Sequence, residues 1–273
     1  MLNITIEQKD FERALPAGQF CTGEVFKRVA PSIDQAVEDI CVNILGEKGE
    51  EWATERQRNM QFVIRLAVIQ GFLNVFRQLD LVLTPTGFGV VANDTTAPAS
   101  KSRVDELQEQ LRMELIEKRG KLLDQLTLCE GWGSQPVARE AMPYLYYETP
   151  FCYLNPHCKS ADWDAAKPII AEVDQELRAK ISDEQMDDLM LKLRSNGYRE
   201  YPEIQVRSYM TNAFYHACHN NQRVYLSSVR HIIKELEDNP EIFPLYHNSQ
   251  AYQVNHFKRY ENAKSDPSFF FLG

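Results

Sequence analysis

Basic charge is the first thing this chain lacks. Lys and Arg number 30 against 39 Asp and Glu, for a formal net charge of −9 at pH 7 and a pI near 5.3. That deficit excludes a groove reader of nucleic acid, which needs a basic stripe to neutralise phosphates, so no sequence-specific nucleic-acid partner is expected. Long apolar runs are also missing. The most apolar stretch, Phe62 to Phe76, is broken by Arg65, Gln70 and Asn74 and is too short to span a bilayer. No membrane partner is expected. The opening MLNITIEQKDFERA carries no apolar signal core, so no export signal is expected either. The six cysteines (Cys21, Cys41, Cys129, Cys152, Cys158, Cys218) lie far apart, without the dense spacing of a secreted disulfide scaffold, and reduced thiols in a cytoplasm fit them. What remains is an acidic, soluble chain whose 44% hydrophobic content can bury a sizeable core.

Helical spacing dominates what is there. Leu2, Ile4 and Ile6 alternate with polar residues and predict a short strand. A helix is expected over about 26–45, from Ile33, Val37, Ile40, Cys41 and Ile44, with Gly46 at its end. A second, over about 52–78, is apolar on nearly every face and belongs in the middle of a bundle. A third, over about 102–126 with Ser102 as cap, has only a narrow seam (Val104, Leu107, Leu111, Leu115, Leu122, Leu126) and is otherwise charged, as for a surface or a partner. Prolines and glycines with many aromatics mark 127–162 as an ordered, extended crossover. Helices return at about 163–181, with Pro168 tolerable only near a first turn. Three more are expected at about 183–195, 202–220 and 224–238. The first of them opens on a Ser182-Asp183-Glu184-Gln185 capping box and closes on Asn196-Gly197.

The fold class these elements predict is mainly α, with two helical-bundle modules. Module one covers 1–128 with a β-like arm at 79–100, the crossover 129–162, and module two 163–273 with an aromatic tail. Sparse identities also hint at a duplication. Ile33-Asp34-Gln35 matches Val173-Asp174-Gln175, and Arg65, Phe72 and Gln78 align with Arg207, Phe214 and Asn220. Matches this thin fit chance as readily as descent.

Candidate chemistry is thin. Cys152, His157 and Cys158 in the crossover, with His216, Cys218 and His219 near one helix end, could supply four zinc ligands. Yet Cys-x5-Cys is no standard knuckle, the histidines lack a His-Glu-x-x-His frame, and buried free cysteines explain the same letters. The carboxylates at Asp183, Glu184, Asp187 and Asp188 suit a helix start. There is no Gly-x-Ser-x-Gly. No catalytic residue, metal or cofactor is expected, and the rival from another class is a cytosolic metal-dependent enzyme built on those Cys and His groups.

Contact features stand out instead. Residues 81–91 read LVLTPTGFGVV, in which Gly87 and Gly89 run into strand-like Val90-Val91, whereas a phosphate loop needs its glycines directly before a helix. A two-stranded arm follows, with Pro85 and the glycines turning the chain and Phe88 at the tip. The terminal Phe269-Phe270-Phe271-Leu272 follows a polar spacer, Lys264-Ser265-Asp266-Pro267, as a docking peptide would. The expected partner contacts are Leu83, Phe88, Val90, Val91, Phe269, Phe270, Phe271 and Leu272.

The run Leu81 to Val91, then Ala97-Pro98-Ala99-Ser100-Lys101 and a charged helix, resembles an uncharacterised family of phage and prophage proteins of gut bacteria. That family is similar in helical layout to phage head–tail connector (adaptor) proteins, which form a ring beneath the portal. The resemblance is most specific over about 52–126 and thin after 150, and the chain is longer than single-module adaptors. It implies a non-enzymatic virion protein, present in the host cytoplasm during assembly. The arm and tail would then touch the portal, neighbouring connector or tail proteins, or copies of the chain in a homo-oligomeric ring. Another virion or scaffold protein is the alternative within that class.

Overall fold

The computed structural model describes residues 2, 4–15, 23–79, 81–84, 87–90 and 100–256, with backbone only in the two strands. The fold is mainly α. Helix α1, Gln8–Ala14, starts on a reciprocal pair of bonds between Glu7 and Asp10 and plants Phe11 in the core. The strand expected over residues 2–6 does not form. Leu2, Ile4 and Ile6 pack against the core as irregular chain, since among the described residues no strand lies beside them to pair with.

Helix α2, Gly23–Ile40, tolerates Pro31 and runs through a π-helical turn, Cys41–Leu45, straight into α3, Gly46–Glu55. Gly46 does not simply stop a helix. It holds φ +58°, and a Cβ there would meet Val137 Cγ2 at 2.7 Å, so glycine is required for both conformation and space. The single helix expected over 52–78 is two. Arg56 is extended (φ −142°, ψ 138°) between α3 and α4, Gln57–Val75, and Asn59 spans the break by donating to the Trp52 carbonyl at 2.7 Å. By length and composition Gln57–Gln78 would suffice to cross a membrane, yet Val63, Ile64, Leu66, Ala67, Val68 and Ile69 are buried against neighbouring helices. Gly71 allows a backbone-to-backbone approach. A Cβ on it would sit 2.6 Å from the Ile33 Cα, so α4 crosses α2 backbone to backbone.

After a 3-10 turn, Phe76–Gln78, strands β1 (Leu81–Thr84) and β2 (Gly87–Val90) form an antiparallel hairpin. Helix α5, Lys101–Leu126, begins after Ser100 rather than Ser102. Its apolar seam is unevenly used. Leu111, Ile116, Leu122, Leu123 and Leu126 are buried, whereas Val104 and Leu107 near the start are only half-buried.

The crossover turns over in short helices instead of running extended. A 3-10 turn at Trp132–Ser134 precedes α6, Pro136–Ala141, and α7, Glu148–Leu154. Its aromatics explain this compaction, because Trp132, Tyr146 and Phe151 can leave water only if the chain folds back over them. Gly133 approaches so closely that a Cβ would sit 2.6 Å from the Arg194 carbonyl oxygen.

Helix α8, Ser160–Ile181, carries Pro168 well inside it, unlike the first-turn position expected. Ser182 then caps α9, Asp183–Arg194, its Oγ accepting from Gln185 N at 3.2 Å. Gln185 does not reach back to complete a box. It turns inward, and its Oε1 accepts from Tyr246 N at 3.1 Å. At the far end of α9 the left-handed residue is Asn196 (φ 48°), and Gly197 N donates to the Lys192 carbonyl at 2.7 Å. Helices α10 (Tyr201–Cys218) and α11 (Gln222–Asp238) form a close antiparallel pair, followed by α12 (Pro244–His247) and α13 (Gln250–Asn255). Buried side chains from Phe11 to Tyr246 make one continuous hydrophobic cluster.

Candidate functional site

The hairpin emerges from between two long helices, and the chain leading into β1 is tied to both α2 and α5. Thr84 pairs with Gly87, Leu83 with Phe88, Val82 with Gly89 and Leu81 with Val90. Gly87 and Gly89 are therefore paired strand residues, and Phe88 lies one register step back from the turn. The two strands pair with each other, and neither packs on a helix to a comparable extent. At the root, Arg28 of α2 donates to the carbonyls of Leu79 and Gln78 at 3.1 and 3.2 Å. Arg77 donates to Gln108 Oε1 at 2.8 Å and pairs with Asp105, both on α5. Arg65 of α4 meets Glu114 of α5 at 2.9 Å. Such half-exposed pairs contribute only about 0–1 kcal/mol each, so their effect is to aim the arm rather than to stabilise the chain. Arg28 and Arg77, at the root itself, stand in different elements, and no local pattern in the sequence links them.

Of the expected contact residues, Leu83, Phe88 and Val90 belong to this hairpin. Val91 and Phe269, Phe270, Phe271 and Leu272 lie outside the described residues, as does the remainder of the arm, 91–99.

A second feature is a cleft of ≈ 500 Å³ where the crossover meets the second half. It lies among the end of α7, the loop before α8, the first turns of α8 and the end of α10. The fold brings His157, Cys158, Cys218 and His219 to its walls, with Asn155 and Tyr215 between them. Cys152 lies beside Cys158, and His216 stays off the lining. His157 is in the left-handed region (φ 73°), which turns the chain sharply between α7 and α8. The ring of His219 stacks on Tyr215 at 4.2 Å, and its Nδ1 lies 2.7 Å from the Tyr215 carbonyl oxygen.

Among the described residues no three His, Cys, Asp or Glu side chains converge as a metal site. Burial pushes the Cys218 thiol up to about 11 and the Cys152 thiol higher still, so both stay protonated near neutrality and are poor nucleophiles. Sequence spacing alone did not point to Asn155 or Tyr215. Tyr215 sits four residues before His219 on one helix face, which was the available signal.

With this geometry in place, comparison with known proteins adds one match. A family of unknown function (DUF6712) matches residues 35–126, from the middle of α2 through the hairpin to the end of α5. No curated protein and no solved structure matches.

Proposed function

We propose that this chain is a non-enzymatic phage or prophage structural protein, a component of a head–tail connector that acts through protein–protein contacts. The observation that carries the reading is the rooted hairpin, 81–90, between α4 and α5, with Arg28 and Arg77 fixing the chain that leads into it. A two-stranded hairpin whose strands pair chiefly with each other is an economical contact for a neighbour, because a two-stranded sheet offers outer edges to a further strand. Arms of this kind reach adjacent copies or a portal in closed symmetric assemblies. The chain would then be made in the host cytoplasm and end in the virion, with a ring assembling on its template.

Quantitative mass spectrometry of virions purified from an induced host tests this. A low, fixed ratio to the major capsid protein is expected, as for a unique vertex. Detection only in the lysate overturns the virion role. Within particles, Phe88→Ala is expected to leave the fold intact and to reduce incorporation.

A further inference from the structure

We infer that Cys152 and Cys158 form a reversible disulfide at the wall of the cleft, a redox modification site for small disulfides or thiols entering that cleft. The two sulfurs lie 2.6 Å apart. Non-bonded carbon atoms rest at roughly 3.5–4.0 Å and sulfur is larger, so the pair sits well inside ordinary contact. A covalent S–S bond is about 2.0 Å long, so little further movement is needed.

The local chain is built to bring them together. Cys152 lies in the last turns of α7, and the connection then folds back on itself. Asn155 N and Asn155 Nδ2 both donate to the Phe151 carbonyl, at 3.0 and 2.7 Å, and Cys158 N donates to the Asn155 carbonyl at 3.0 Å. Between them His157 takes the left-handed conformation that completes the reversal. Arg112 of α5 then reaches the Cys158 carbonyl at 3.5 Å and holds the loop from outside.

Access divides the roles. Cys158 lines the cleft and Cys152 does not, although both are otherwise buried. The Cys158 thiolate therefore attacks one sulfur of an incoming small disulfide, forming a mixed disulfide and releasing one thiolate, which takes up a proton. Cys152, deprotonated in turn, attacks the Cys158 sulfur and displaces the second thiolate. Two protein S–H groups are lost, one protein S–S bond forms, and the small disulfide leaves as two thiols, so protons and electrons balance. Burial disfavours the Cys152 thiolate, which makes Cys152 the resolving partner and makes closure faster as pH rises. The product is a covalent staple between α7 and the start of α8, along one wall of the cleft.

The test uses the reduced, full-length native chain with oxidised glutathione at mildly alkaline pH, followed by alkylation and peptide mapping. The expected result is a Cys152–Cys158 link with loss of two hydrogens, two of the six cysteines protected from alkylation, and full reversal by dithiothreitol. In Cys152→Ser the reaction is expected to stop at glutathione on Cys158. Circular dichroism of that variant reports whether it folds, and the mapping of the unmodified chain does not depend on it. Persistent alkylation of both thiols, or a link from Cys158 to Cys218, overturns the inference. Either result leaves the virion experiment untouched.

Discussion

The two halves of the molecule follow the same order and spend it differently. Each runs long helix, short helix, long helix, long helix: α2, α3, α4, α5 and then α8, α9, α10, α11. In each, a residue with positive φ joins the first two helices, Gly46 in one and Ser182 in the other. In each, the chain after the fourth helix returns to close on the end of the first. Trp132 Nε1 donates to the Ile44 carbonyl at 2.9 Å, and the Ser249 hydroxyl, which donates to the Tyr246 carbonyl at 2.6 Å, lies 3.4 Å from the Ile181 carbonyl oxygen. The difference lies between the third and fourth helices. Asn220 and Asn221 help turn α10 directly into α11, and the two pack along much of their length. Between α4 and α5 stands the arm, and α4 packs most closely on α2 instead. The arm and the change of helix partner thus fall at the same corner.

The largest expected effect comes from erasing the close approach peculiar to the first half. Ala213 stands in α10 where the aligned position in α4 is Gly71. Giving the first half that same alanine, Gly71→Ala, drives a Cβ into the Ile33 backbone and is expected to cost about 3 kcal/mol in urea unfolding. A loss below about 0.5 kcal/mol would show that the crossing slides open at little cost.

The closing bonds sharpen the comparison at a smaller scale. Trp132→Phe leaves the buried Ile44 carbonyl unpaired and a small void, expected at about 2 kcal/mol. Ser249→Ala removes the bond to the Tyr246 carbonyl and the α13 cap, in which Tyr252 N donates to Ser249 Oγ at 3.1 Å, expected at about 1 kcal/mol. Equal losses would mean that the two closures contribute alike.

Glu203 has no counterpart in the first half and gives the second a pH signature. Burial pushes its carboxyl up. Lys192 at 2.7 Å and the amides of Arg199 and Glu200 outweigh burial, so it lies below its ordinary 4.5. A lowered carboxyl contributes stability that is present above 4.5 and lost as pH falls through the lower folded value. Glu203→Gln is therefore expected to cost about 2 kcal/mol at neutral pH and progressively less below that range, read from unfolding curves across pH. A pH-independent loss would assign its contribution to packing alone. Smallest of all, Phe88→Ala in the arm is expected to change stability by under about 0.5 kcal/mol while reducing incorporation into particles.

The helices of the second half were legible nearly to the residue because their ends carry local chemistry. Ser182 caps α9, Asn196-Gly197 closes it and Pro202 opens α10. The first half misled wherever the deciding neighbour was remote. Alternation at residues 2–6 looked like a strand, but alternation forms one only beside another strand. The apolar run from Trp52 to Phe76 looked continuous, yet the chain breaks at Arg56, where α3 and α4 pack on one another. Pro168 sits deep in α8 although local rules place proline in a first turn.

The candidate sites divide along the same line. The arm was readable as paired strands from its apolar runs and glycines. Its root was not, because Arg28 of α2 meets residues 78 and 79, about fifty positions on, and Arg77 meets α5 beyond the arm. The separate letters of the cleft were visible, but their meeting was not. Cys158 and Cys218 stand on different elements with α8 between them, and Cys152 reaches Cys158 through a loop reversal that no spacing rule announces.

By itself, then, the amino-acid sequence determined what depends on near neighbours: helix periodicity, caps, glycine turns, the acidic surface and the mainly α class. Only the tertiary structure decided which helix each apolar face covers, where the crossover folds back over its aromatics, how the arm is aimed, and which thiols meet. Those outcomes are set by packing between segments far apart in the chain, where burial of whole faces outweighs any local preference.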